Sequence, residues 1–130
     1  MSKPLIHSQS SVRKWGGVIH DYIQIHNFLD SSKGVLSDNR HRALTHNSWF
    51  IQPNGPLEMC FGTHFVNADG KVVVVRDVGE LHILEDYGGF IPTPQDFLET
   101  VPYVGWMNGA ANGYPPSAKE IAKNRIKIMD

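Results

Sequence analysis

Apolar residues recur at helical spacing in the first third of the chain. Successive apolar positions are four, three and four residues apart, at Val18, Tyr22, Ile25 and Leu29. Because this spacing places them on one face of a helix, the pattern predicts a first helix that ends near residues 31–34. The glycine pair at residues 16–17 stops any element before it, so residues 1–17 are predicted to be an arm that packs onto the core.

A second helix is predicted to begin near Ser37 or Asp38 and to run to about Ile51. Its apolar positions are Ala43, Leu44, Phe50 and Ile51. Two prolines, an asparagine and a glycine follow at residues 53–56. Because these residue types interrupt helices and strands, the second helix is predicted to end before them.

The period of the pattern changes after this break. β-branched residues of high strand propensity flank a glycine-containing turn at residues 67–70, so residues 63–75 are predicted to form a β-hairpin. A third helix is predicted over residues 78–87, because Asp77 has the chemistry of an N-cap and Gly88 that of a helix end.

Capping patterns predict two further helices near the C-terminus. Thr93 is followed by a proline and then by Asp96, which is a helix start, and this fourth helix is predicted to run to about Thr100. Residues 102–116 are rich in proline and glycine and are predicted to be an extended connector. A capping box at Ser117 predicts a terminal helix, which its lysines and arginine make basic.

These elements together predict an α+β fold. Residues 1–107 are predicted to form a single, mostly helical domain with one small antiparallel β-hairpin. Residues 108–130 are predicted to be the connector and the C-terminal basic helix. A chain of 130 residues is long enough to bury a core of this kind without disulfides.

Composition excludes several broad classes. The net charge is −1 and only 19% of residues are charged, so no global field favours nucleic acid or an anionic membrane. We expect no membrane association, because the sequence has no apolar run of membrane-span length. The single cysteine, Cys60, and the absence of a signal-peptide pattern predict a cytoplasmic location. Cys60 lies in an apolar stretch and is predicted to be a buried, inert thiol.

Three segments each pair a histidine with a carboxylate at the spacing of helical neighbours. Zinc, iron and manganese take imidazole nitrogen and carboxylate oxygen as ligands, so these pairs predict a divalent metal site. The predicted metal ligands are His26, Asp30, Asp38, His41, His82, Glu85 and Asp86. The alternative is that these side chains only satisfy one another or cap helices.

A cluster of basic and titratable residues in the second predicted helix favours an anion. The predicted anion-binding residues are Arg40, Arg42 and His46, because guanidinium and imidazole groups bind phosphate and similar anions. An ion-pair network with Glu80, Glu85 or Asp86 is an equal alternative.

Two classes of function fit these candidates. The first is a binding protein whose partner is an unknown protein or a small anionic ligand, with nucleic acid as a further partner of the C-terminal basic helix. The alternative is a metal-dependent hydrolase that acts on a phosphoester, in which the metal activates water.

The chain resembles a family of small uncharacterised proteins of bacteria and their phages, a domain of unknown function. The resemblance covers roughly residues 7–107 and is carried by Trp15-Gly16-Gly17, Arg40-His41-Arg42-Ala43-Leu44 and the motif Gly79-Glu80-x-His82-x-x-Glu85-Asp86. It implies that the family's pattern includes His7, His26, Asp30, Asp38, His41, His46, Glu80, His82, Glu85 and Asp86.

The resemblance also separates the histidines. His20 and His64 lie outside the family's pattern, which favours His26 over His20 as a candidate ligand. Asn47 stands where a further histidine is expected, so a ligand role at that position is not predicted. The resemblance implies no reaction.

Overall fold

The computed structural model describes residues 3–118. The chain divides into two compact units, the first ending at Phe97 and the second beginning at Leu98. The α-helices are α1 (Pro4–Trp15), α2 (Ile23–Asp30), α3 (Arg42–Thr45), α4 (Pro56–Phe61), α5 (Val75–Tyr87) and α6 (Pro94–Leu98). The two strands are β1 (His64–Val66) and β2 (Val72–Val74). The predicted α+β fold, mostly helical with one antiparallel hairpin, is confirmed.

The predicted N-terminal arm is a helix. α1 begins at Pro4, where a proline is tolerated because the first helical N–H needs no partner, and it ends before Gly16, whose φ is 82°. Its buried face is polar and consists of His7, Ser8 and Ser11. This face packs toward α2 and α5, and its polarity explains why apolar periodicity alone does not reveal the helix.

The first two predicted helices are shorter than expected. α2 begins at Ile23 and carries only Ile25 and Leu29 of the predicted apolar face, because Tyr22 precedes it and Val18 is 51% exposed; a 3₁₀ turn follows it at Ser31–Gly34. The predicted length of the second helix was wrong. A 3₁₀ turn at Asn39–His41 leads into α3, which ends at Thr45. The Asn47 amide donates to Ala43 O and accepts from the Phe50 N–H. A side chain that bonds the backbone in this way offers it an alternative to the helix.

The predicted hairpin is confirmed. β1 and β2 pair antiparallel, with Phe65 opposite Val73, and these two side chains point to the core while their neighbours face outward. The Asn67 side chain accepts from the backbone N–H groups of Asp69 and Lys71. These bonds stabilise the turn, in which Gly70 takes a φ of 79°.

α5 is the central helix of the first unit. It follows β2 without a loop and begins at Val75, three residues before the predicted start, so Asp77 does not cap it. It ends as predicted at Gly88, which is left-handed with a φ of 72°. The core around α5 is built from Tyr22, Ile25, Leu29, Phe50, Ile51, Leu57, Val73, Val75, Val78 and Ile83.

The two remaining α-helices, α4 and α6, are short. α4 was not predicted, and the prediction of a buried thiol was wrong, because Cys60 lies on its exposed side. α6 begins as predicted: Thr93 and Asp96 bond each other's backbone N–H groups. Among the described residues no helix has the length and apolar character needed to cross a membrane.

The second unit is described as far as residue 118. Three 3₁₀ turns follow α6, at Gly105–Asn108, Ala110–Asn112 and Pro116–Ala118. The body of the predicted C-terminal basic helix lies outside the described residues.

Candidate metal centre

Two histidines and two aspartates converge within the first unit. Asp30 is the last residue of α2, His46 follows α3, and His82 and Asp86 lie one turn apart on α5. Each offers one ligand atom, and these atoms all lie within 4.8 Å of one another. All four side chains are buried, the most exposed being Asp30 at 6%. We call these four residues the central group.

Each of the four close contacts within the central group joins an imidazole nitrogen to a carboxylate oxygen. Asp86 Oδ2 lies 2.9 Å from His46 Nε2 and 3.2 Å from His82 Nε2. Asp30 Oδ1 lies 3.6 Å from His46 Nε2 and 3.2 Å from His82 Nε2. Ligands in a tetrahedral zinc site at ordinary bond lengths are about 3.3 Å apart. The four separations therefore have the size of a metal coordination sphere.

The hydrogen bonds around His46 determine which of its nitrogens faces the group. Thr45 Oγ1 donates its hydrogen to Leu29 O at 2.7 Å, because a carbonyl only accepts. The same oxygen, 2.8 Å from His46 Nδ1, is therefore the acceptor of an Nδ1–H. This network assigns the hydrogen of a neutral His46 to Nδ1, so that Nε2 presents a bare lone pair to the carboxylates.

The net pKa shifts of His46, Asp86 and Asp30 are all downward and act against further protons on these side chains. Burial lowers the pKa of His46, and the raising effect of its hydrogen bond to Asp86 does not compensate. Burial raises the pKa of Asp86, but hydrogen bonds from His46, His7 and His82 outweigh this when the imidazole nitrogens that face it carry hydrogens, and then hold the pKa well below its usual range. Burial likewise raises the pKa of Asp30, and contact with His82 reverses the effect, so the net shift is downward.

With its hydrogen on Nδ1, a neutral His46 turns a bare Nε2 toward oxygens of two carboxylates, and neither side of these contacts has a hydrogen to donate. Without a cation, an Nε2 atom can lie beside a carboxylate oxygen only if one of the two carries an additional proton. A divalent cation takes the place of such protons and accepts lone pairs from all four side chains. The central group thus has the chemistry of a metal site.

His7 connects α1 to the central group. Its Nε2 lies 3.1 Å from Asp86 Oδ1 and its Nδ1 lies 2.9 Å from Glu85 Oε1. Burial lowers the pKa of His7, but the hydrogen bonds to Asp86 and Glu85 outweigh it and the pKa is raised. A protonated His7 donates to Asp86 Oδ1, which leaves Asp86 Oδ2 turned toward the central group.

The predicted metal ligands take different places. Asp30, His82 and Asp86 belong to the central group, and His26 lies against it with Nδ1 2.9 Å from His82 Nδ1. Glu85 contacts His7 instead. His41 is buried beside Ser32, whose Oγ is 2.7 Å from His41 Nδ1. The ligand roles of all seven residues stay predictions.

Asp38 lies apart from the central group. Its carboxylate, half exposed, accepts from the backbone N–H of Arg40 and forms an ion pair with the Arg40 guanidinium at 2.8 Å. Asp38 therefore starts the 3₁₀ turn before α3, as the capping alternative predicts.

The predicted anion-binding residues are also separated. Arg40 is 78% exposed, whereas Arg42 is buried with its guanidinium 5.0 Å from the centre of the Tyr87 ring. Arg42 Nη2 lies 3.9 Å from Asp86 Oδ1. His46, predicted to bind an anion, contacts two carboxylates instead. The one local sequence feature that indicates a ligand role for His46 is the preceding residue, Thr45, because its hydroxyl can orient the imidazole ring.

Comparisons with known proteins identify a family and no activity. Residues 2–107 match the model of a family described as "Domain of unknown function (DUF6915)". No curated protein matches the chain, and no solved structure does.

Proposed function

The chain belongs to the family of the domain of unknown function (DUF6915), whose description names no activity, and we propose from the geometry that the protein binds a divalent metal ion. The proposed ligands are the central group, Asp30, His46, His82 and Asp86. The observation that carries the proposal is the convergence of their four ligand atoms within 4.8 Å.

The donor set fits a divalent ion in charge and in type. Two ionised carboxylates balance the two positive charges of the ion, and two neutral imidazoles add nitrogen ligands without changing that balance. Mixed nitrogen and oxygen ligation suits zinc, iron or manganese. His7 Nε2 forms a hydrogen bond with Oδ1, the second carboxylate oxygen of Asp86. Outer-sphere partners orient metal ligands through hydrogen bonds of this kind.

The burial of the site favours a binding role over catalysis. The His46 and His82 side chains are fully buried, and that of Asp86 is 1% exposed. A metal-dependent phosphoester hydrolase needs an open position on its metal and room for a substrate beside it. An ion enclosed by four buried side chains links α2, α5 and the segment after α3 instead.

Metal titration of the purified protein tests the proposal. After chelation and removal of the chelator, we expect Zn²⁺ to bind with a stoichiometry of one ion per chain. Asp86→Asn removes one ligand charge, and we expect it to weaken binding by more than the roughly 10–100-fold typical of an outer-sphere change. Elemental analysis gives the stoichiometry, and competition with a coloured chelator gives the affinity.

Asp38→Asn is the matched control, because it makes the same chemical change at an exposed carboxylate paired with Arg40. Its affinity for Zn²⁺ should equal that of the wild type. A wild type that binds no Zn²⁺, or an Asp86→Asn variant that binds it as tightly as Asp38→Asn, would falsify the proposal.

A further inference from the structure

A buried hydrogen-bonded chain leads from α1 to His82. Ser11 Oγ lies 2.8 Å from His26 Nε2, and His26 Nδ1 lies 2.9 Å from His82 Nδ1. All three side chains are fully buried. The rings of His26 and His82 are close to coplanar, with 20° between their planes and centroids 5.1 Å apart. This is the edge-to-edge arrangement of two imidazoles that share one hydrogen.

The hydrogen bonds made by Ser11 determine which atoms donate and which accept between Ser11, His26 and His82. Ser11 Oγ donates to the backbone carbonyl of His7 at 3.0 Å, and a hydroxyl has one hydrogen. The oxygen of Ser11 is therefore an acceptor for His26, whose Nε2 must carry a hydrogen. A neutral His26 then has a bare Nδ1, which accepts the hydrogen on His82 Nδ1.

His82, at the end of these hydrogen bonds, is a proposed metal ligand. With its hydrogen on Nδ1, a neutral His82 directs the lone pair of Nε2 toward Asp30 Oδ1 and Asp86 Oδ2. Each of these oxygens lies 3.2 Å from Nε2. We propose that Ser11 and His26 are positioning residues that select Nε2 of His82 as the metal-binding nitrogen. This inference rests on the proposed metal site.

The chemistry of the acceptor also sets the charge of the site. A neutral imidazole holds the His82 Nδ1–H, whereas a carboxylate in that place would bring a third negative charge to the ligands. The negative charge of the four ligands then comes from Asp30 and Asp86 only. Ser11 acts on the site through two successive hydrogen bonds, Ser11–His26 and His26–His82. Because Ser11 is not itself a proposed ligand, substituting it leaves all four ligands in place and tests the inference.

Ser11→Ala is the most informative substitution. It removes the acceptor of the His26 Nε2–H and leaves α1 intact, because alanine is a good helix former. A group bonded directly to a metal ligand, as His26 is, contributes roughly 10–100-fold to affinity; because Ser11 lies one hydrogen bond further out, we expect Ser11→Ala to weaken Zn²⁺ binding at the low end of that range, by about 10-fold. Because the buried His26 Nε2–H loses its acceptor, the melting temperature of the metal-free variant should fall by a few degrees while the variant stays folded.

Ser8→Ala is the matched control. Ser8 lies on the same buried face of α1 and donates in the same way to a carbonyl four residues earlier, that of Pro4. It should bind Zn²⁺ within about twofold of the wild type. His26→Leu should weaken binding more than Ser11→Ala, and His26→Asn should restore part of the loss because its amide oxygen can accept from His82 Nδ1.

Nitrogen-15 NMR of the metal-free protein gives a readout that needs no ion. Between pH 6.5 and 8, His26 should carry its hydrogen on Nε2 and have a bare Nδ1. A hydrogen on His26 Nδ1, or equal Zn²⁺ affinities for the wild type and Ser11→Ala, overturns this inference alone. A wild type that binds no Zn²⁺ overturns the proposed function and this inference with it.

Discussion

Burial and charge give two neighbouring histidines opposite protonation behaviour. Burial lowers the pKa of His26 to about 2, and the imidazoles of His82 and His7 add to the effect whenever they are protonated. His7 lies between the carboxylates of Asp86 and Glu85, which outweigh its burial and raise its pKa. His26 therefore stays neutral across the physiological range and can serve as a hydrogen-bond acceptor, whereas the pKa of His7 is shifted the other way.

The lowered pKa of His26 makes the stability of the protein depend on pH. Below pH 6.5 the unfolded chain protonates this histidine and the folded chain does not until about pH 2. Because the unfolded state binds more protons, the free energy of unfolding of the metal-free protein should fall as the pH drops, by about 1 kcal/mol per unit from this residue. His7, whose pKa is raised, contributes in the opposite direction, and its stabilisation is lost as the pH rises.

Urea unfolding of the wild type and His26→Leu from pH 4.5 to 6.5 measures this contribution. We expect a shallower slope for the variant, since leucine takes up no proton in the unfolded state. Equal slopes for the two proteins would contradict the assignment of a neutral, buried His26.

The sequence predicts the residue types of the site better than their partners. His82 and Asp86 share a helix, so their spacing reveals the pair directly. The contact of Asp86 with His46 joins residues 40 apart in the chain, and that of Asp30 with His82 joins residues 52 apart. No local periodicity encodes such contacts, which is why His7 and His46 were not among the predicted ligands.

Among the elements, α5 supports the site most directly, because it carries His82 and Asp86 on one face. It packs closely against α4 at Gly79, where an added Cβ would lie 2.6 Å from Leu57 Cδ2 and 3.0 Å from Ile51 Cγ2. A larger residue would push α5 away from its neighbours. This glycine lies one turn before His82, so the close approach also fixes the position of the site.

Gly79→Ala should therefore destabilise the protein although alanine favours helices. Overpacking of a core typically costs about 1–3 kcal/mol, which exceeds the gain of about 1 kcal/mol from helix propensity. Gly34→Ala is the control, since nothing lies within 4 Å of a Cβ at that position. Thermal unfolding of the two variants gives the comparison, and equal melting temperatures would show that α5 has room at Gly79.

The elements differ in how well the sequence predicts them. The hairpin and the end of α5 follow from local chemistry, namely β-branched runs and a glycine that takes a left-handed conformation. α1 does not, because its fully buried residues are polar and one of them, His7, contacts the His82 ring, while only Val12 and Trp15 pack against the apolar core. α3 is short because Asn47 bonds the backbone beyond it, and side-chain bonds of this kind leave no trace in the apolar pattern.

For the molecule as a whole, the site belongs to the first unit. All four residues of the central group precede Phe97, where that unit ends, and they lie within residues 2–107, which match the family. The C-terminal basic helix and a partner for it, protein or nucleic acid, stay predictions. The chemistry proposed for this protein needs only the first unit.

Anomalous diffraction from crystals of the full chain grown with Zn²⁺ would locate the ion directly. The proposal predicts one strong peak at the zinc edge, bonded to Nε2 of His46 and of His82 and to carboxylate oxygens of Asp30 and Asp86, at about 2.0–2.2 Å. A peak bonded to Nδ1 of His82 would contradict the positioning role of His26. The absence of a peak among these four residues, with Zn²⁺ in excess, would contradict the metal site itself.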